Sequence, residues 1–107
     1  MGLTENANPV PELHKHLSSI AAQLMNGKEV VFEDQRLKVE RVGSGRLRTV
    51  PVMINGRALQ AIEQNREKPS HWGKLARKGH QVVQFQDVVT KTYVAVVVDG
   101  EVREYGR

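Results

Sequence analysis

The spacing of apolar residues changes period more than once along the chain. From Pro11 onward, Leu13, Leu17, Ile20, Ala21, Leu24 and Met25 recur at intervals of three and four, which lays one apolar stripe along a helix. Pro11 suits the first turn of such a helix and Glu12 suits the positive end of its dipole. Asn26-Gly27 offers a left-handed C-cap. Ahead of the stripe, residues 1–8 are polar and unpatterned and read as a loose tail.

Beyond Gly27 the pattern alternates, with hairpin punctuation. EVVFE (29–33) and RLKVERV (36–42) flank Asp34-Gln35, and GSG (43–45) turns the chain into RLRTVPVMI (46–54). Asn55-Gly56 is the strongest short hairpin signal, because a type I′ turn needs two positive φ values, and RALQAIEQ (57–64) is its return strand. Pro51 has no ladder donor, so its strand is an edge, bulged, or broken there. After residues 65–80 come QVVQFQDV (81–88), a turn near Thr90-Lys91, YVAVVV (93–98), a second hairpin signal at Asp99-Gly100, and EVREY (101–105).

The segment HWGKLARKG (71–79) carries its own helix signals. Ser70 is a good N-cap, Pro69 disfavours helix upstream, Lys78 and Arg77 complement the carbonyl end, and Gly79 is a good stop. On a helix of about two turns over 71–78, Trp72, Leu75 and Ala76 share one face, while His71, Lys74 and Lys78 line another, with Arg77 nearby.

These elements predict an α+β fold in the order α-β-β-β-β-α-β-β-β: an N-terminal amphipathic helix, an antiparallel sheet of six to seven strands, and a short second helix. Short turns between neighbouring strands require antiparallel pairing. The apolar run 94–98 calls for a strand covered on both faces, by a helix on one side and by sheet curl or the second helix on the other. The sheet is expected to be strongly bent, with barrel-like closure as the limiting case. A chain of 107 residues fits one domain, 1–107, since two halves would each bury too little.

Composition narrows the chemistry. Without cysteine the chain has no disulfide, thiolate zinc site or cysteine nucleophile. No apolar run approaches the roughly 20 residues of a membrane span, and the N-terminus lacks a signal-peptide pattern. No membrane role is expected, and the cytoplasm is the expected compartment.

Charge is more informative. The formal net charge is +4, yet residues 36–48 hold five basic groups against Glu40, and residues 66–80 hold five against Glu67, so the remainder is acidic. Two basic segments on an acidic remainder suit a polyanion or an acidic protein patch. If the GSG turn pairs its flanking strands in register, Arg36, Lys38, Arg46 and Arg48 form a basic ladder on one face of a β-ribbon. The plainer reading is a charged solvent face that protects a sheet edge. Around 66–78, Arg66, Lys68, His71, Lys74, Arg77 and Lys78 supply a second basic cluster, with Trp72 as a stacking residue or as a plug for the sheet.

Catalytic patterns do not emerge. Ser44 in VGSGR has its glycines too close for a nucleophile elbow, and the same residues lack the helix and Lys of a phosphate loop. His14 and His16, two apart on a helix, point to roughly opposite sides and make a poor metal pair. No cofactor or metal site is expected. The leading expectation is a small binding module without catalysis, contacting nucleic acid or an acidic partner through Arg36, Lys38, Arg46, Arg48 and the 66–78 cluster. The competing one is a protein interaction or assembly module in which a sheet edge or the first helix docks a partner or a second copy.

Overall fold

The alternation that marked 46–64 as a hairpin also sets the frame of the sheet. In the computed structural model, which describes residues 9–42, 47–64 and 70–104, eight strands and two helices follow in sequence. They are α1 (Pro9–Asn26), β1 (Glu29–Phe32), β2 (Gln35–Lys38), β3 (Glu40–Val42), β4 (Leu47–Ile54), β5 (Arg57–Glu63), α2 (His71–Arg77), β6 (Val82–Asp87), β7 (Tyr93–Val98) and β8 (Glu101–Glu104). β3 to β8 form one six-stranded antiparallel meander in chain order, and β1 with β2 forms a separate two-stranded ribbon. The α+β order is the expected one, and the sheet is open, since β3 and β8 are its two edges and do not meet.

One face of the meander packs against α1. Leu17, Ile20, Ala21 and Leu24 of the helical stripe meet Val50, Val52, Leu59, Ala61, Val83, Phe85, Ala95 and Val97, with Val30 and Phe32 of the ribbon completing the core. Each fully buried aliphatic side chain contributes roughly 1.5–3 kcal/mol, so this layer carries most of the stability. α1 is also pinned at two points: Ser18 Oγ donates to the Gly100 carbonyl at 2.6 Å, and the Gln23 side chain pairs with the Val31 N–H and C=O. The Gln23 amide thus takes the place of a neighbouring strand along the outer edge of β1.

The opposite face carries the second helix at one end. There α2 lays Trp72, Leu75 and Ala76 on Val82, Val96 and Val98, so the run 94–98 is covered by a helix on each side, as its composition required.

Three local features differ from the sequence-based expectation. The strand expected over 36–42 breaks at Val39, whose N–H donates to the Lys28 carbonyl as the ribbon ends; residues 35–38 pair with β1 and residues 40–42 with β4. The ribbon turns at Glu33-Asp34, with φ 57° at Glu33, not at Asp34-Gln35. In the observed register Glu29 faces Lys38; a turn one residue later would set Glu29 against Glu40, a like-charge pair. Gly27 does not take a positive φ. A Cβ there would stand 3.3 Å from the Gln23 carbonyl oxygen, so glycine serves close approach at the helix exit, not a left-handed cap.

Two further turns are as read, and the GSG turn at 43–45 lies outside the described residues. Asn55-Gly56 has φ values of 51° and 77°, and Asp99-Gly100 has 49° and 88°, both with two left-handed residues. Pro51 lies on the half of β4 beyond Thr49, where β3 no longer pairs and no donor is needed.

Candidate binding surface

The first basic segment is not a surface ladder. Arg36 and Lys38 sit on the outer face of the β1–β2 ribbon, which packs on the α1 side, and Arg36 pairs with Glu29 at 3.1 Å. That pair is well exposed and contributes about 0–1 kcal/mol. Arg48 turns the other way, into the α1 face. Its Nε donates to Glu63 at 3.1 Å, and its guanidinium reaches the Met25 carbonyl in the last turn of α1. The last turn of α1 holds no basic residue of its own, so Arg48 of β4 supplies the positive charge that the carbonyl end favours. Arg48 is therefore a structural side chain, and the expected ladder is overturned by the break at Val39 and by this inward turn. Arg46, the ladder's remaining member, lies outside the described residues.

Burial raises the Glu63 pKa, but the hydrogen bonds and charge of Arg48, with Arg41 adding to them, outweigh it and hold the carboxyl below its usual value. Two further carboxylates are held low at turns. Asp87 accepts from the Thr90 and Val89 N–H groups and from Arg57, whose Nε stands at 2.7 Å, and these contacts lower its pKa. Asp99 accepts the Gln81 N–H and meets His80 Nδ1 at 2.6 Å, which lowers its own.

The second basic segment is presented as a surface. The Ser70 hydroxyl accepts from the Gly73 N–H at 3.1 Å. At the other end, the N–H groups of Gly79 and His80 return to the carbonyls of Ala76 and Leu75, a Schellman closure with Gly79 at φ 99°. A helix of only 7 residues is held by both caps, and the His80–Asp99 contact ties its exit to the β7–β8 turn. Lys74, Arg77, Lys78 and His71 are exposed on it, while Trp72 is half-buried against the sheet, with the His71 ring at 4.7 Å in an edge arrangement. Arg66 and Lys68 lie outside the described residues.

Beside α2 two cross-strand rows run over this face: Thr49, Ile62, Gln84, Val96 and Arg103, buried at Thr49 and at Val96 beneath α2, then Pro51, Gln60, Gln86 and Tyr93, which is exposed at both ends and half-buried between. Met53 and Ala58 begin a third. From β4 to β8 neither full row contains a carboxylate; Glu40 of β3 stands beyond Thr49 at the sheet edge, and Glu101 of β8 stands opposite Val98 at the α2 end. Glu63 and Asp87 both belong to the alternation that faces α1. This surface was missed in the sequence because its residues are uncharged. The signal that could have found it is the alternation of Gln84 and Gln86 with Val83 and Phe85, matched by Gln60 and Ile62 on the paired strand.

An open cleft of about 220 Å3 beside α1, next to Ala21, Met25, Val83 and Gly100, is below the size usual for a small-molecule site. Among the described residues no three His, Asp or Glu side chains converge as metal ligands, and His16 packs edge-on against Phe32 at 4.9 Å. No helix among them is long and apolar enough to cross a membrane. The fold and surface define an α+β domain, a helix-backed antiparallel meander with one partly open face. Comparison with protein-family models, with curated proteins and with solved structures finds no match.

Proposed function

We propose that the protein is a small non-catalytic binding module that holds a polyanion, nucleic acid before an acidic protein, against the α2 side of its sheet. The observation that supports this reading is the pairing of a doubly capped helix bearing exposed Lys74, Arg77 and Lys78 with adjoining rows free of carboxylate. Rigid presentation matters, because a cation already held in place loses less entropy on meeting a phosphate. Arg36, Lys38 and Arg48 drop out of the proposed site, the first two because they lie on the α1 side and the third because it is spent on Glu63. A cysteine-free chain suits the reducing cytoplasm, where nucleic acids and acidic protein partners are both at hand.

Titration of labelled oligonucleotides at about 50 and 200 mM salt tests the reading. Three phosphate contacts predict affinity falling roughly 20-fold across that range, and Lys74→Glu with Lys78→Glu removing most binding at the lower salt. Absence of binding at low salt refutes it. A solution mass showing a stable oligomer, with no oligonucleotide bound, would favour the assembly reading instead.

A further inference from the structure

The register of β7 contains an irregularity that changes what the open face presents. Phe85 pairs with Ala95, but Gln86 pairs with Tyr93, so Val94 is an extra residue on its strand. Simple alternation from Ala95 and Val97 would send Tyr93 toward α1 and Val94 outward. The bulge reverses both: Val94 packs against the α1 core, and Tyr93 comes up on the open face, 46% exposed, in line with Gln86 and Gln60. Bulges of this kind re-aim a side chain at the cost of ladder pairing, and they concentrate where the re-aimed group is used.

We infer that the ligand of this surface is a single-stranded nucleic acid laid across the open rows, with a base stacked on Tyr93 and phosphates on the cations of α2 and on Arg103. The inference rests on the polyanion reading above and narrows it. Tyr93 offers a π-face, which every base can use. Gln60 and Gln84 flank it with half-buried amides, which meet base edges without bringing a charge that would repel phosphate, while the Gln86 amide donates to the Lys91 carbonyl at 3.0 Å and leaves its oxygen to accept. The cations stand at the margins: Lys74 and Lys78 exposed at the α2 end, and Arg103 on β8, 57% exposed with a 3.8 Å contact to Glu101. An uncharged floor with an aromatic and a cationic margin complements a chain that turns bases inward and phosphates outward. A duplex hides its base faces and could use the margin alone.

Along β7, Tyr93 lies three residues from Val96, the nearest residue beneath α2, or roughly 10 Å at strand rise.

The test compares an oligothymidine of about 12 residues with a duplex of equal length, by anisotropy at low salt, for the native chain and for Tyr93→Ala, Tyr93→Phe, Lys74→Glu and Arg36→Ala. The expected result is tighter binding of the single strand, loss of about 10-fold in Tyr93→Ala, retention of most affinity in Tyr93→Phe, weakening in Lys74→Glu, and no change in Arg36→Ala. Unchanged Trp72 emission in each variant reports that the fold is intact. Equal binding of duplex and single strand, or full affinity in Tyr93→Ala while Lys74→Glu is weakened, overturns the inference and leaves the polyanion reading standing. Displacement of the oligothymidine by polyglutamate at equal charge overturns the choice of nucleic acid. Failure of every oligonucleotide to bind overturns both.

Discussion

The two faces of the central meander use the same alternating strands for opposite ends. On the α1 side, Phe85 and Ile20 are fully buried, and the charged groups that enter the layer are spent: Glu63 is held by Arg48, and Asp87 by Arg57 and two backbone donors. On the α2 side a helix of two turns covers one end, and the remainder holds Pro51, Met53, Gln60, Gln84, Gln86 and Tyr93. Filling one face with long aliphatic contacts is what allows the other to remain open in a domain of this size. The difference lies less in how many basic residues each region has than in how they are exposed: Arg48 is turned into the α1 side against Glu63, while Lys74 and Lys78 are exposed on α2.

Truncations across the sheet would test this contrast most strongly. Phe85→Ala is expected to cost about 3–5 kcal/mol in urea denaturation, through lost burial and the cavity left behind. Met53→Ala or Gln86→Ala on the open face should stay within about 0.5 kcal/mol. A large loss from Met53→Ala would mean that its face is a second core.

A smaller effect is expected at Arg48. Arg48→Met strands the Glu63 carboxylate and a carbonyl of α1, and should cost about 2–3 kcal/mol at neutral pH. The pH dependence has a definite sign. Glu63, Asp87 and Asp99 all have folded pKa values held below the unfolded ones. Each contributes stability that is complete above its unfolded pKa and is lost as pH falls through the lowered folded value, so the native chain should weaken on acidification below about pH 4. In Arg48→Met the stranded carboxylate is relieved by protonation, so the gap to the native chain should narrow over the same range. A gap that stays constant would show that Arg48 acts by packing alone.

At α2 the expected losses are near 1 kcal/mol. Ser70→Ala removes the N-cap acceptor, and Gly79→Ala forces a side chain into a left-handed position. Both should red-shift Trp72 emission and weaken oligonucleotide binding together, because the helix presents the cations. The smallest effect belongs to Arg36→Ala, within about 0.5 kcal/mol and without effect on binding.

Much of the frame was legible in the sequence because its determinants are local. The stripe of α1, the Ser70 and Gly79 ends of α2, the Asn55-Gly56 and Asp99-Gly100 turns and the edge position of Pro51 all follow from a residue and its near neighbours. What escaped depends on distant partners. The fate of Arg48 is decided by Glu63 on the next strand and by Met25 on α1, and the break at Val39 by a choice between β1 and β4. Tyr93 was hidden for a different reason: its strand alternates correctly until a single bulge, set by pairing with β6, reverses the side on which it emerges. The basic residues drew attention, but the geometry turned Arg48 toward Glu63 and α1 while Arg36 and Lys38 stayed exposed on the ribbon and Lys74 and Lys78 on α2.

The most direct test of the account is an amide chemical-shift titration with oligothymidine at low salt, following every backbone N–H at once. The account predicts shifts confined to α2 and to the rows through Gln60, Ile62, Gln84, Gln86 and Tyr93, with β1 and β2 silent. Shifts centred on Arg36 and Lys38, or on the exposed side of α1, would contradict it.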